Sequence, residues 1–239
     1  MSTHISRQAV AARDQARTSD GKFGQQQYAR AGGVDLQQAS TTPATRPDGA
    51  VAPDVKVPAS AHISAGVAVR EGAHIGERVR LDEGALIDRD AHVREDSVLE
   101  EGASVGAEAL IRHNVTLRKR ARASSHTIIG PDSVLEERSL VRRGAHIARG
   151  TTLSHDVLVD ERAHVGEHVT VGASAIICEG ATIRNNAQLG PGVFVAPDAI
   201  VPSGAQVPAN ATVQTDGSII DWDAMRLRNR QHGAAHNRA

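Results

Sequence analysis

The sequence predicts an all-β solenoid of short parallel strands, and three observations lead to this prediction. First, every sixth residue from Val51 to Val213 is Val, Ile or Leu, with Ala123 as the exception. Second, the residue two places before each of these, from Val55 to Ala211, is Ala, Val, Ser or Thr. Third, the position three places after them is often Gly, Asn or Asp. A fixed period of this kind is the signature of a repeat architecture.

The period of six indicates strands rather than helices. An amphipathic helix needs apolar residues three and four positions apart. Six is a multiple of two, so in an extended strand the large apolar residue and the small one two places earlier lie on the same side. Gly, Asn and Asp tolerate the backbone conformation of a tight corner, so the chain is expected to turn once per six-residue unit, here called a hexad. The interior of the solenoid would then be filled by two apolar columns.

The hexads resemble the hexapeptide repeat of the left-handed parallel β-helix family, the trimeric LpxA-like superfamily, as in Val165-Gly166-Glu167-His168-Val169-Thr170. The resemblance implies that three hexads make one coil and that the coils wind in a left-handed sense. Residues 51–217 would form about nine uninterrupted coils. It also implies assembly as a homotrimer.

A coil of three hexads can be tested within the sequence, because residues 18 positions apart should then stack. Opposite charges do fall at this spacing, and neighbouring opposite charges on adjacent strands are favourable. Like charges also occur there, for example Arg94 and Arg112. The predicted opposite-charge ladders are Glu100/Arg118/Glu136, Glu101/Lys119/Glu137, Glu71/Arg89, Arg142/Asp160 and Arg143/Glu161.

The two ends of the chain lack the period. Residues 1–50 are rich in Gln, Arg, Ala, Ser and Thr, which predicts a disordered tail or a segment that docks on a protein partner. Residues 218–239 are predicted to form a short capping helix followed by a frayed basic tail. Ser218 or Asp221 would cap the helix. Trp222 and Met225 would cover the last coil, whose unpaired strand edges otherwise invite association.

Composition narrows the class of protein. Aromatic residues make up 2% of the chain, as expected for a narrow interior. The formal net charge of −1 argues against a partner that is a nucleic acid. No apolar run reaches the length of a membrane span, so we expect no membrane partner and a cytoplasmic protein. The single Cys178 excludes an intramolecular disulfide framework.

One outward-facing column of the predicted solenoid carries four successive large apolar residues. An exposed stripe of this kind is usually covered by another surface. We expect it to form the interface of the homotrimer, and the alternative is that the N-terminal tail packs over it. The residues of this apolar stripe are Leu140, Leu158, Ile176 and Phe194.

The stretch Leu153-Ser154-His155-Asp156 resembles the hexad that carries the catalytic histidine in O- and N-acetyltransferases of the sialic-acid and bacillosamine type. The resemblance implies that His155 is a general base and that acetyl-CoA donates an acetyl group to a hydroxyl or an amine. Glu137, one coil earlier, is expected to orient the imidazole, and Asp156 completes the candidate site. Asp160 stands where that family usually has Gly.

The same sequence can be compared with three other functions. The loopless repeat is equally compatible with a non-catalytic scaffold or assembly module whose tails bind partners. Stacked histidine pairs, His74 with His92 and His146 with His164, could share a metal ion. They lack a third protein ligand, so no metal is expected. The twelve histidines also lack the spacing of the γ-class carbonic anhydrases, which excludes that activity.

Overall fold

The computed structural model describes residues 50–226, and these form a parallel β-solenoid built from the predicted hexads. From His62 to Val213 each hexad contributes one strand of two residues, whose second residue is the large apolar one except at Ala123. The strands are β1 His62–Ile63, β2 Ala68–Val69, β3 His74–Ile75, β4 Arg80–Leu81, β5 Leu86–Ile87, β6 His92–Val93, β7 Val98–Leu99, β8 Ser104–Val105, β9 Leu110–Ile111, β10 Thr116–Leu117, β11 Arg122–Ala123, β12 Ile128–Ile129, β13 Val134–Leu135, β14 Leu140–Val141, β15 His146–Ile147, β16 Thr152–Leu153, β17 Leu158–Val159, β18 His164–Val165, β19 Thr170–Val171, β20 Ile176–Ile177, β21 Thr182–Ile183, β22 Gln188–Leu189, β23 Phe194–Val195, β24 Ile200–Val201, β25 Gln206–Val207, β26 Thr212–Val213 and β27 Ile219–Ile220.

Every third strand joins the same sheet, so each coil has three sides. Sheet 1 holds the nine strands from β1 to β25, sheet 2 the nine from β2 to β26 followed by β27, and sheet 3 the eight from β3 to β24. The pairing is parallel with an offset of 18 residues, for example Thr116↔Val134. The predicted coil of three hexads is therefore confirmed.

The solenoid has eight complete coils and part of a ninth, slightly fewer than the nine predicted. The first hexads lack regular strands. Val51 makes only an isolated bridge to Val69, and Val51 and Val57 are 38% and 41% exposed. Pro53 and Pro58 lie in this stretch. Proline has no N–H to donate to a neighbouring strand, which accounts for the weak pairing there.

The interior consists of the two predicted apolar columns. Residues such as Leu117 and Ile129 are fully buried, as are small residues such as Ala121. Five hydroxyl residues also lie in the small-residue column and are buried: Ser97, Thr127, Ser133, Ser139 and Thr151. Their hydroxyls donate to backbone carbonyls, for example Thr151 Oγ1 to the Gly166 oxygen at 2.7 Å. Ser and Thr are thus accommodated in the core because their polar atoms are paired.

The corners accept more types of residue than the sequence indicated. Every sixth residue from Gly66 to Asn210 has a positive φ, and this set includes Arg120 and Arg138 as well as the expected Gly, Asn and Asp. A residue with a side chain in this conformation costs about 1–2 kcal/mol. The preceding coil compensates because it pairs the corner amide. For example, the Arg120 N–H donates to the Glu101 oxygen at 3.0 Å.

The charge ladders are formed in part. Arg118 lies between Glu100 and Glu136 at 3.9 and 3.3 Å, and the predicted pairs Lys119–Glu101 and Arg142–Asp160 are present at 2.9 and 3.3 Å. Within residues 50–226, no ion pair joins the other three predicted partners, which are Lys119/Glu137, Glu71/Arg89 and Arg143/Glu161. An exposed ion pair between long side chains contributes little free energy. Stacking at a spacing of 18 residues is therefore not enough to determine which oppositely charged partner a side chain contacts.

The last coil is closed by an antiparallel strand that the sequence did not indicate. β27 pairs with β26 through Thr212↔Ile220 and Val213↔Ile219. The predicted helix start at Ser218 is therefore wrong, because the free edge of β26 holds the following residues in an extended conformation. A single helical turn, α1, occupies 222–226.

Asp221 caps this helical turn. Its Oδ1 accepts from the N–H groups of Asp223 and Ala224 at 3.0 and 2.9 Å. Trp222 Nε1 donates to Thr212 Oγ1 at 3.0 Å, which ties the turn to β26. The predicted tail of residues 1–50 lies outside the described residues except for Ala50, and so does the basic tail after Arg226. Between residues 50 and 226 no helix is both long enough and apolar enough to cross a membrane.

Candidate active site

His155 lies on the corner between β16 and β17, and its side chain is exposed. The backbone of this corner is held from both neighbouring coils. The Asp156 N–H donates to the Glu137 oxygen at 3.0 Å, and the His155 oxygen accepts from the Ser174 N–H at 3.0 Å. The imidazole is therefore presented to solvent on a rigid support. Among the described residues it has no side-chain hydrogen bond.

Both carboxylates of the predicted site, including Glu137 as the expected partner of His155, contact Arg138 instead. Arg138 Nε and Nη2 donate to the two oxygens of Asp156, both at 2.7 Å, and Nη1 donates to Glu137 Oε1 at 3.3 Å. The planar guanidinium matches a carboxylate through two parallel bonds, which makes it the stronger partner. The expected hydrogen bond from the His155 ring to the Glu137 carboxylate is thus not formed among the described residues.

Arg138 controls the charge at this corner. Its hydrogen bonds are the main cause that lowers the pKa of Asp156, and the positive charge of Arg138 acts in the same direction. Asp156 in turn raises the pKa of the Arg138 guanidinium. Asp156 is therefore an ionised carboxylate near neutral pH and cannot donate a proton. The sequence analysis missed Arg138, although its position 18 residues before Asp156 could have identified it.

The apolar stripe begins beside this corner. Its four residues are paired in register on neighbouring strands of sheet 2: Leu140↔Leu158, Leu158↔Ile176 and Ile176↔Phe194. Leu140 and Leu158 are half-buried by their neighbours, whereas Ile176 and Phe194 are each 39% exposed. Leu158 is three residues from His155, so the imidazole borders the stripe.

Three shallow grooves lie elsewhere on the described surface, and none of the three is lined by His155. One of about 460 Å³ runs along Asp82, Glu83, Glu100 and Glu101. Others, of about 450 and 420 Å³, are lined in part by His74 and by Arg143, respectively. His155 is exposed and lines none of these three grooves of the described residues.

The outward column of sheet 3 carries the two predicted histidine pairs. The rings of His74 and His92 are stacked with centroids 4.3 Å apart, and those of His146 and His164 meet edge-on at 5.9 Å. Within residues 50–226, no group of three or more His, Cys, Asp or Glu side chains is arranged to hold a metal ion.

Replacing His146 with glutamine should make stability less dependent on pH. Burial lowers the pKa of His146, with smaller contributions from His164 and Arg112. In the unfolded chain His146 has the ordinary pKa of about 6.5. Below that pH the unfolded chain therefore binds a proton at this residue more readily than the folded chain does. The free energy of unfolding therefore keeps its full value above about pH 6.5 and declines as the pH falls towards the pKa of His146 in the folded state.

Urea-unfolding midpoints measured between about pH 7.5 and 5.5 would test this prediction. The midpoint of His146→Gln should fall less steeply with decreasing pH than that of the wild type. His62→Gln, on sheet 1, controls for the loss of an imidazole elsewhere. Equal slopes for His146→Gln and the wild type would contradict the prediction.

A comparison with known protein families supports the assignment of hexapeptide repeats. Residues 162–197 match the family described as the hexapeptide repeat of succinyl-transferase. No curated protein matches the sequence.

Solved structures with a similar path of the chain have low sequence identity. They include UDP-N-acetylglucosamine O-acyltransferase from Moraxella catarrhalis, at 13% identity over 74% of this chain and 77% of that chain, with a TM-score of 0.37. A putative acetyltransferase from Bacillus cereus has 17% identity over 72% and 93%, with a TM-score of 0.39. A GDP-perosamine N-acetyltransferase variant from Caulobacter crescentus has 18% identity over 73% and 57%, with a TM-score of 0.30. Taking together the six-residue period, the three parallel sheets and the matched repeat, we conclude that the chain is a hexapeptide-repeat β-solenoid, consistent with the left-handed parallel β-helix family that the sequence indicated.

Proposed function

We propose that this protein is an acyltransferase that moves an acetyl group from acetyl-CoA to a hydroxyl or amine acceptor and works as a homotrimer. The observation that carries the proposal is the exposed imidazole of His155 on the corner that leads into β17, the strand of Leu158 in the apolar stripe. The stretch that matches the hexapeptide repeat of succinyl-transferase begins seven residues later, at residue 162.

His155 would act as the general base of the reaction. Its neutral imidazole accepts the proton of the acceptor O–H or N–H while the acceptor oxygen or nitrogen attacks the thioester carbonyl. A new ester or amide bond forms and the carbon–sulfur bond breaks. The imidazolium then returns its proton to the CoA sulfur, so the products are the acetylated acceptor and free CoA thiol. No metal ion is required in these steps.

The two carboxylates beside His155 would have distinct roles. Asp156 is held by Arg138 at 2.7 Å and would fix the corner that carries the imidazole. Glu137 also contacts Arg138, at 3.3 Å. Rotation of Glu137 away from Arg138 would free it to orient the His155 ring. Glu137 and Asp156 are therefore proposed as supporting groups, and His155 as the residue that touches the acceptor.

A second subunit would supply what the isolated chain lacks. His155 lies on an open surface, where water competes for the thioester. The apolar stripe beside it exposes Ile176 and Phe194, and covering this stripe removes apolar surface from water. Another copy packed on sheet 2 would then cover one side of His155 and form a cleft for the acyl-carrying end of acetyl-CoA.

The Ile176→Asp variant tests the trimer. Light scattering on the wild type should give three times the chain mass of 25.1 kDa, because the apolar stripe is covered by the neighbouring subunit. Ile176→Asp should give the mass of one chain, since a buried unpaired carboxylate is costly. Thr170→Asp, at the same repeat position on sheet 1, should remain a trimer. A monomeric wild type, or a trimeric Ile176→Asp protein, would contradict the assembly.

Release of free thiol from acetyl-CoA tests the chemistry. A panel of amino and hydroxyl acceptors would be incubated with the wild type, and release above the acceptor-free background supports the transferase. A trimeric mass without thiol release would not support the transferase.

A non-catalytic scaffold is the second candidate function. It is favoured by the uninterrupted hexads from β1 to β26, which leave no loop to wrap an acceptor. An oligomer that releases no thiol with any acceptor in the panel would support the scaffold. In that case the exposed faces and the terminal tails, for which a protein partner remains a prediction, would carry the function.

A further inference from the structure

The hydrogen bonds between coils follow one rule along the solenoid. The residue that directly follows each two-residue strand, here called the post-strand residue, donates its N–H to the next coil. Ser64, for example, donates to the Leu81 oxygen at 2.9 Å. Every post-strand residue from Ser64 to Ala196 makes this bond. The last coil has no successor, so its three post-strand residues need another arrangement.

Two of the three sheets end with a proline at this position. β24 is the last strand of sheet 3 and is followed by Pro202, and β25 is the last strand of sheet 1 and is followed by Pro208. Proline has no N–H to donate. Among the strands from β1 to β26, no other post-strand residue is a proline. The two positions whose N–H would find no acceptor are therefore the two that have no N–H.

Sheet 2 ends in a different way. Its last post-strand residue, Gln214, donates its N–H to the Ser218 oxygen at 2.8 Å, within the turn that leads to β27. β27 then occupies the free edge of β26. Trp222 Nε1 donates to Thr212 Oγ1 at 3.0 Å and fastens the chain that follows β27. The N–H groups of all three final post-strand positions are thus either paired or removed.

The interior is also closed at this end. Val201, Val207 and Val213 are at most 3% exposed, although no further coil lies over them. Ile219 is paired with Val213 and so lies on the same face of sheet 2, towards the interior. The large apolar residues of the first two hexads, by contrast, are exposed. The C-terminal end of the solenoid is therefore closed in both its core and its hydrogen bonds.

We propose that Pro202, Pro208 and β27 form a C-terminal seal, which keeps this end of the solenoid from pairing with another copy of the chain. An exposed strand edge offers N–H and C=O groups that pair with a strand of another molecule. Without the seal, the last strands of all three sheets would offer such an edge. Each proline removes one donor from its edge, and its ring obstructs the approach of a partner carbonyl.

The C-terminal seal is separate from acyl transfer and from the trimer. The trimer contact is proposed on the outward face of sheet 2, whereas the seal acts along the axis of the solenoid. A repeat that continued to pair from one copy to the next would make a contact that does not close, and such contacts lead to filaments. The seal would limit assembly to contacts between the sides of the solenoid.

Full-length variants that undo the seal test the proposal. Pro202→Ser with Pro208→Ser restores both N–H groups with the residue found at the same repeat position in Ser64. Ile220→Pro is added to detach β27, because the interior of a paired strand does not accept proline. The mass of this triple variant by light scattering should rise about twofold or more from micromolar to submillimolar concentration, as expected for end-to-end association. The mass of the wild type should stay constant.

Pro191→Ser with Pro197→Ser, again combined with Ile220→Pro, is the matched control. Both prolines lie one residue beyond a post-strand position, where no backbone N–H of the described residues donates to the next coil. The control thus loses two prolines and β27 without gaining a donor at an edge, and its mass should rise less. Each protein is compared with itself across concentration, so the result does not depend on whether the wild type is a trimer.

Circular dichroism and recovery of the starting mass on dilution distinguish folded association from aggregation of unfolded chains. If Ile220→Pro prevents folding, Trp222→Ala replaces it in both proteins, since it removes the side chain that fastens the cap to Thr212. A folded triple variant whose mass stays constant would overturn the proposal. Equal association of the control would overturn it as well, because the two sealing prolines would then have no part in the effect.

Discussion

His155→Ala should lower the rate of acyl transfer by a factor of about 10²–10⁴, the range associated with a general base. The change removes the only proton acceptor proposed for the acceptor group. It should leave the free energy of unfolding within about 0.5 kcal/mol of the wild type, as for surface positions without a special contact. The side chain is exposed, and the hydrogen bonds of this corner are made by its backbone. Initial rates of thiol release and urea unfolding measure the two effects.

His113→Ala is the matched control for this experiment. His113 is also exposed and occupies the same repeat position on a different corner, two residues after the buried Ile111. Loss of the His113 imidazole should leave both the rate of thiol release and the free energy of unfolding unchanged. Activity retained in His155→Ala would remove His155 from the mechanism. An equal loss of rate in both variants would point to a general effect of surface charge rather than to proton transfer at one site.

Leu117→Ala should destabilise the fold by about 3–4 kcal/mol, within the range found for large-to-small changes in a core. Leu117 is fully buried and lies between Leu99 and Leu135 in the column of sheet 1. The ladder of hydrogen bonds to both neighbouring coils holds the backbone at a fixed spacing, so the cavity cannot close by local collapse. Urea unfolding followed by circular dichroism measures the loss.

The neighbouring residue provides the control for the core prediction. Thr116 belongs to the same strand but points outward and is only half-buried. Thr116→Ala should cost less than about 1 kcal/mol, since it leaves no interior cavity. Equal losses in the two variants would place both residues on the same side of the strand. That result would contradict the alternation on which the whole interpretation of the repeat depends.

The candidate site was only partly predictable from the sequence. The period placed Glu137, His155 and Asp156 on one corner of successive coils, and the structure has them there. It could not assign the partner of each carboxylate. Two carboxylates, one guanidinium and one imidazole lie within reach of one another, and their possible pairings differ little in free energy at an exposed site. The bidentate contact of Arg138 with Asp156 is selected by three-dimensional geometry.

The resemblance to the hexapeptide-repeat family supplied the coil of three hexads, whereas the hexad pattern alone predicts the solenoid and the division of residues between its interior and its surface. The last two follow from local rules, because the alternation along a strand and the corner after it repeat unchanged in every hexad. How the solenoid ends and which polar groups meet depend on contacts between coils. β27 is extended only because β26 offers it a free edge, and Asp156 pairs with Arg138 of the preceding coil. Both are contacts whose geometry a six-residue pattern does not contain.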